Sequence, residues 1–321
     1  MEKSFVSGLA AVLAAGLMLA QPGLAGEREV SIGGGKAPLY GTLLMPEDGK
    51  AVPAVLLLAG SGPTDRDGNS PIPGVKPATL KLIAEGLAAH HIASLRVDKR
   101  AIAKSAPAAS SEAELRFDTY VDDAVAWAKF LKAQPRVNCL FILGHSEGAH
   151  IGALAAAKVP VCGFISVAGT GQLAGDALLR QMQNAPPALF AQVQQIIAQL
   201  KQGKTVADVP PQLLMLFRPS VQPYLISWFA KDPIAAIAAV KAPVLVMQGT
   251  TDIQVRVEDA RLLAAARPGI ALVLLDETNH VLKTAPADPA ANIATYADPT
   301  LPLAPEVMPA LTVFIDKNAT P

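Results

Sequence analysis

Two patterns of apolar residues alternate along the chain. Six short runs, 52–59, 92–97, 139–143, 162–167, 244–248 and 270–275, are almost continuously apolar. Between and after them lie longer stretches, 79–90, 119–134, 146–158, 257–266 and 306–317, with the composition and spacing of helices. A strand that is apolar at nearly every position is one covered on both faces, as in a parallel sheet. The alternation therefore predicts an α/β fold, a mostly parallel sheet of about eight strands wrapped by helices. Two further extended stretches, 28–32 and 39–45, flank Gly33-Gly34-Gly35 and read as a hairpin that adds antiparallel strands at one edge. The triple glycine is not a phosphate loop, because Ala37 follows Lys36 where Ser or Thr is required.

One segment interrupts the alternation. Residues 171–232 carry no clear strand, and Leu189, Val193, Ile196, Ile197 and Leu200 fall on one helical face. Insertions after strand carboxyl ends in α/β sheets lie over the ligand crevice, so the segment reads as a helical lid; a surface hairpin remote from any site is the plainer alternative.

Composition narrows the picture. Of 321 residues 51% are hydrophobic and 17% charged, with 27 basic against 27 acidic side chains. This excludes a disordered chain, and zero net charge offers no field for a phosphate backbone, so no nucleic-acid partner is expected. Part of the hydrophobicity belongs to residues 1–25, where Lys3, an apolar run from Phe5 to Ala20 and the small residues Gly23-Leu24-Ala25 make a secretory signal peptide cleaved before Gly26. The run is too short for a membrane span. The expectation is a protein exported to the periplasm or medium, with 26–321 as its working domain and no stable membrane insertion. Its two cysteines, Cys139 and Cys162, open runs that could be neighbouring strands. A bridge is possible after export, although two small buried thiols is the reading that free cysteines favour.

The candidate chemistry centres on Gly144-His145-Ser146-Glu147-Gly148, a Gly-x-Ser-x-Gly pattern with a strand running in and an Ala-rich helix leaving. Such a turn exposes the serine at the carboxyl edge of the sheet. A serine hydroxyl needs an imidazole to take its proton and a carboxylate to orient that imidazole. His90 and His91 end a helix at the far edge, His145 lies inside the turn and should point away from Ser146, and His150 sits a turn into the helix, packed against a neighbouring loop. His280, beyond the last strand, remains. Asp252 leaves the end of the run 244–248 and lies between serine and histidine in order. Asp276 is the rival acid, ranked below it. For a developing oxyanion the backbone amides of Glu147 and of Ser61, with Gly62 as the near alternative, are the candidate donors. The loop beyond Ser61 continues into Asp65, Arg66 and Asp67; these charges, and those of Asp98-Lys99-Arg100, read better as loop bracing than as substrate contacts.

With these residues assembled, the chain resembles the α/β-hydrolase superfamily, and within it the exported bacterial serine hydrolases that carry Gly-Ser-Gly-Pro-Thr-Asp-Arg-Asp-Gly-Asn (60–69), Asp-Lys-Arg (98–100), Gly-His-Ser-Glu-Gly (144–148), Gly-Thr-Thr-Asp (249–252) and Asn-His (279–280). The resemblance implies the α/β-hydrolase fold, a Ser146 nucleophile, a His280 base and an Asp252 orienter, with no metal and no cofactor. It departs at Ala101-Ile102-Ala103-Lys104-Ser105, where relatives often read Gly-x-Gly-x-Ser, which puts the path of that loop in question. The expected activity is hydrolysis of a small-molecule carboxylic ester through an acyl-enzyme. Peptide or thioester cleavage by the same residues, or a binding protein that has lost catalysis on this scaffold, are the alternatives. Serine at the turn disfavours a dehalogenase, which needs aspartate there, and a dienelactone-type enzyme, which needs cysteine.

Overall fold

The computed structural model describes residues 26–33, 37–47 and 49–319; the 1–25 segment read as a signal peptide lies outside them. Eight strands form one sheet: β1 (Gly26–Ile32), β2 (Leu39–Met45), β3 (Val52–Leu58), β4 (Ala93–Val97), β5 (Val137–His145), β6 (Gly163–Val167), β7 (Val244–Gly249) and β8 (Ile270–Leu275). Their order is β1-β2-β4-β3-β5-β6-β7-β8. β1 pairs with β2, and β2 with β4, antiparallel. Every later pairing is parallel, as the uninterrupted apolar runs require.

The helices are α1 (Thr79–Ala89), α2 (Phe117–Lys132), α3 (Glu147–Ala156), α4 (Ala174–Gln181), α5 (Pro187–Lys201), α6 (Leu214–Phe217), α7 (Gln222–Phe229), α8 (Pro233–Ala238), α9 (Val257–Ala265), α10 (Pro289–Ala294) and α11 (Val307–Asn318). Successive strand residues face opposite sides, so each strand feeds two cores. Leu56 and Ile142 pack with α2, α3, α9 and the insertion, whereas Leu57 and Phe141 pack with α1 and α11. β8 departs from the doubly covered strand its apolar run predicts: it is the sheet's last strand, and Leu272 and Leu274 are 36% and 37% exposed.

The segment 171–232 contains α4 to α7, with Val193, Ile196, Ile197 and Leu200 of α5 buried as their spacing predicts. It is fastened at both ends. Thr170, the Gly171 amide and Arg180 all donate to the carboxylate of Asp259 in α9, and Ser227 of α7 accepts from the Phe117 amide of α2 at 2.7 Å.

Cys139 and Cys162 correct the reading of two free thiols: they are bonded, with Cα atoms 5.8 Å apart. Sequence distance conceals why. The parallel pairing of β5 with β6, extended by the Cys162 amide donating to the Leu140 carbonyl at 2.7 Å, sets the two residues side by side.

Candidate active site

The turn between β5 and α3 is built around two positions that admit no side chain. A Cβ on Gly144 would stand 2.0 Å from the Gly148 carbonyl oxygen, and one on Gly148 would stand 2.4 Å from that of Leu58. With the backbone drawn in so tightly, Ser146 is forced to φ 55°, ψ −121°, a region ordinary residues avoid and one that costs about 1–3 kcal/mol. Its amide donates to the Val167 carbonyl at 2.9 Å, which ties the strained residue to the end of β6.

Two strands away, Asp252 leaves β7 and meets His280. His280 Nδ1 lies 2.8 Å from Asp252 Oδ2. A carboxylate only accepts, so Nδ1 carries a proton and Nε2 is the ring nitrogen that Asp252 leaves free. Asp252 is held from three further directions: the amides of Gln254 and Val255 donate to Oδ1, and Gln248 Nε2 donates to Oδ2 at 3.0 Å. Burial alone would raise the Asp252 carboxyl; His280 beside it and these amides outweigh burial and hold it below its ordinary value. Asp276, the rival acid, accepts instead from the Thr250 hydroxyl.

The histidine loop is braced mainly by neutral groups, the exception being the buried Lys283, whose Nζ donates to the Leu301 carbonyl. Asn279 accepts from the Lys283 amide at 3.0 Å and donates to Thr295 Oγ1 at 2.7 Å, beside Asn292, which in turn donates to the Thr251 and Pro286 carbonyls. His145 completes the brace, a role its position inside the turn does not announce. Its Nε2 donates to the His280 carbonyl at 2.7 Å, and the two rings lie 4.8 Å apart. Burial, and then the neighbouring His280, lower its pKa to about 4, so the ring is neutral at pH 7. The chain neighbour of Ser146 thus binds the loop that carries His280. His150 packs between helices rather than against a loop: its ring faces Phe117 of α2, and Nδ1 accepts from Trp228 of α7. His90 and His91 lie with Pro53 and Asp316 at the amino ends of β3 and β4, remote from the turn.

On the other side of Ser146 runs the loop after β3. A Cβ on Gly60 would stand 3.2 Å from Ser146 Cβ, so the loop passes directly against the serine. Ser61 follows, exposed, and the Glu147 amide opens α3, where no helical carbonyl precedes it. Beyond Ser61 the charged residues brace the loop. Arg66 donates to both oxygens of Asp98, at 2.9 Å from its amide and 2.6 Å from its guanidinium. Asp65 accepts from the amides of Asp67 and Asn69, and Arg96 pairs with Asp67 and Glu27. Arg100 takes Asp123 with two hydrogen bonds. In the loop after Asp98-Lys99-Arg100, Ala101 and Ala103 have positive φ, 69° and 46°, and Ser105 Oγ accepts from the Tyr40 amide.

Residues 78–284, well over half of the chain, match the family described as Hydrolase_4, serine aminopeptidase, S33. The chain belongs to that family. The region matched to the serine aminopeptidase family contains Ser146, Asp252 and His280 and begins after Ser61. The chain is similar to Esterase EstD of Thermotoga maritima, at 25% identity over 261 residues, which cover 80% of this chain and 60% of EstD; it thus spans less than two thirds of that relative's length. Among solved structures it is similar to Est1E from Butyrivibrio proteoclasticus with bound ferulic acid, at 16% identity and a TM-score of 0.61 over 90% of this chain and 98% of that one. The esterase domain of a Rhodothermus marinus protein is similar at 17% identity and a TM-score of 0.57, over 92% and 100%. At such identities these two likenesses establish the α/β-hydrolase fold alone.

Proposed function

We propose that the protein is a serine hydrolase that cleaves carboxylic esters of small molecules through an acyl-enzyme on Ser146. The observation that carries the reading is the buried Asp252–His280 hydrogen bond at 2.8 Å, tied through His145 to a serine in a strained turn. Ser146 Oγ attacks the ester carbonyl carbon as His280 Nε2 takes its proton, and the Asp252 carboxylate stabilises the imidazolium that forms. The amides of Ser61 and Glu147 receive the oxyanion, at the start of a helix whose dipole favours negative charge. Collapse expels the alcohol, protonated by His280. Water, deprotonated by His280, then attacks the acyl carbon and releases the acid and free Ser146. No step calls for a metal or cofactor.

Amide cleavage is the second reading, favoured by the description of the matched family as serine aminopeptidase, whereas the name of the relative EstD favours esters. The triad sets the reaction type and the insertion, acting as a lid, the substrate. Export of the mature 26–321 domain accords with the Cys139–Cys162 bridge, since such bridges persist in oxidising compartments. The purified protein should hydrolyse p-nitrophenyl acetate, and Ser146→Ala should lower kcat by about 10³-fold or more. Full activity in that variant overturns the assignment. A fluorophosphonate that fails to label Ser146 would instead indicate an inactive binding protein, and preferential turnover of aminoacyl p-nitroanilides would select the amide reading.

A further inference from the structure

The two proposed oxyanion donors are joined by a buried ion pair. From the end of β4 the chain runs beneath the loop after β3, and there Lys99 Nζ donates to the Gly60 carbonyl oxygen at 2.6 Å. The same ammonium stands 3.6 Å from Glu147 Oε1. Both side chains are enclosed, 10% and 3% exposed, and Glu147 Oε1 accepts no hydrogen bond among the described residues. The face of the Tyr120 ring lies 5.7 Å from Nζ and closes the site on another side.

The Gly60 carbonyl and the Ser61 amide belong to one peptide unit. That unit is planar and trans, so its C=O and N–H point in opposite directions. A cation that fixes the oxygen therefore fixes the direction of the Ser61 N–H, and by drawing electron density toward the oxygen it makes that N–H a stronger donor. Glu147 serves at both ends of the arrangement. Its carboxylate is the counter-charge of Lys99, and its backbone N–H is the second proposed donor. Burial lowers the Lys99 pKa, and Glu147 opposes the fall. A buried ion pair is weak as a stabilising device, because desolvation cancels much of its attraction. Its placement on this one carbonyl points to another use.

We propose that Lys99, held by Glu147, is a positioning residue that aims and polarises the Gly60–Ser61 peptide for the oxyanion. This rests on the reading of Ser146 as nucleophile. The test compares the purified wild type with Lys99→Met and Glu147→Gln, using active-site titration by a fluorophosphonate, kcat and KM on p-nitrophenyl acetate, and inhibition by a trifluoromethyl ketone, whose hemiketal places an oxyanion in the site. Lys99→Met should lower kcat per titrated site about 10- to 100-fold with KM nearly unchanged, and weaken the ketone by the same factor, a fraction of what losing a whole donor costs. Glu147→Gln should move both quantities together, about 3- to 10-fold. A variant that is less heat-stable yet keeps wild-type kcat per titrated site and ketone affinity overturns the proposal, leaving Lys99 a structural residue. If Lys99→Met does not fold, Glu147→Gln decides on the same criterion. A wild type that neither labels nor hydrolyses overturns the nucleophile reading itself, and this inference with it.

Discussion

The loops on the two sides of Ser146 are held by different balances of charged and neutral chemistry. The loop after β3 is locked by charge: Arg66 on Asp98, Arg96 on Asp67, Lys99 on the Gly60 carbonyl. The loop after β8 is locked mainly by neutral groups: Asn279 on Thr295 and the Lys283 amide, Asn292 on two carbonyls, His145 on the His280 carbonyl, with the buried Lys283 ammonium on the Leu301 carbonyl as the charged exception. The difference matches what each side is proposed to do. A Ser61 N–H held in one direction by Lys99 on the Gly60 carbonyl would favour a developing oxyanion. A fixed charge beside His280, other than that of Asp252, would bias an imidazole that must gain and lose a proton in every turnover.

The contrast can be broken most severely at Asp252. Asp252→Asn keeps the shape but no longer secures the imidazole in the orientation and tautomer the reaction needs, and should lower kcat on p-nitrophenyl acetate by about 10³- to 10⁴-fold with near-normal stability. A variant with wild-type kcat would remove Asp252 from the proposed machinery. Next come the braces, compared by urea denaturation. Asp98→Ala leaves Arg66 without its buried partner and should cost about 3–4 kcal/mol, whereas Asn279→Ala strands only neutral groups and should cost about 2 kcal/mol. Equal losses would mean that charge contributes nothing special to the first loop.

Acid sharpens the comparison further. Burial holds the folded pKa of His145 and of His150 to about 4, against an unfolded value near 6.5. The unfolded chain therefore binds protons first as pH falls below 6.5, and stability declines between pH 6.5 and 4, by roughly 2 kcal/mol per imidazole at pH 5. Asp65, whose carboxyl burial raises, works in the opposite sense on the ionic side, since the folded state takes up its proton first. Unfolding free energies measured at pH 7.5 and pH 5 that coincide would contradict the buried neutral histidines. The smallest effect belongs to Ala101 and Ala103. Left-handed backbone costs alanine about 1–2 kcal/mol, and glycine returns part of that gain through the entropy of the unfolded chain. Ala101→Gly and Ala103→Gly should each raise Tm by roughly 1 °C. A fall would show that the loop tolerates these alanines without strain.

Much of this was legible before folding. The apolar runs foretold the strands to within a few residues because a doubly covered strand must be apolar throughout, and β8 misled because an edge strand here carries the same composition. Gly144 and Gly148 marked the turn for a reason the packing makes explicit: neither has room for a Cβ. Asp252 and His280 were marked as a pair by order and by their place at strand ends, and they are hydrogen-bonded. His145 as a brace was not, since nothing near it in the chain names the carbonyl 135 residues away that it binds. A histidine inside the turn, with no other task, was the available signal.

The sequence by itself therefore determined the ladder of strands and helices, the turn that strains Ser146 and the order of the chemical residues, all of which follow from local spacing and backbone sterics. Tertiary structure alone decided the pairings. Cys139 found Cys162, Lys99 found the Gly60 carbonyl and Glu147, and His145 found His280 because strand order sets which loop ends meet. Hydrogen bonds and ion pairs act over a few ångströms, and distance along the chain carries no record of that proximity.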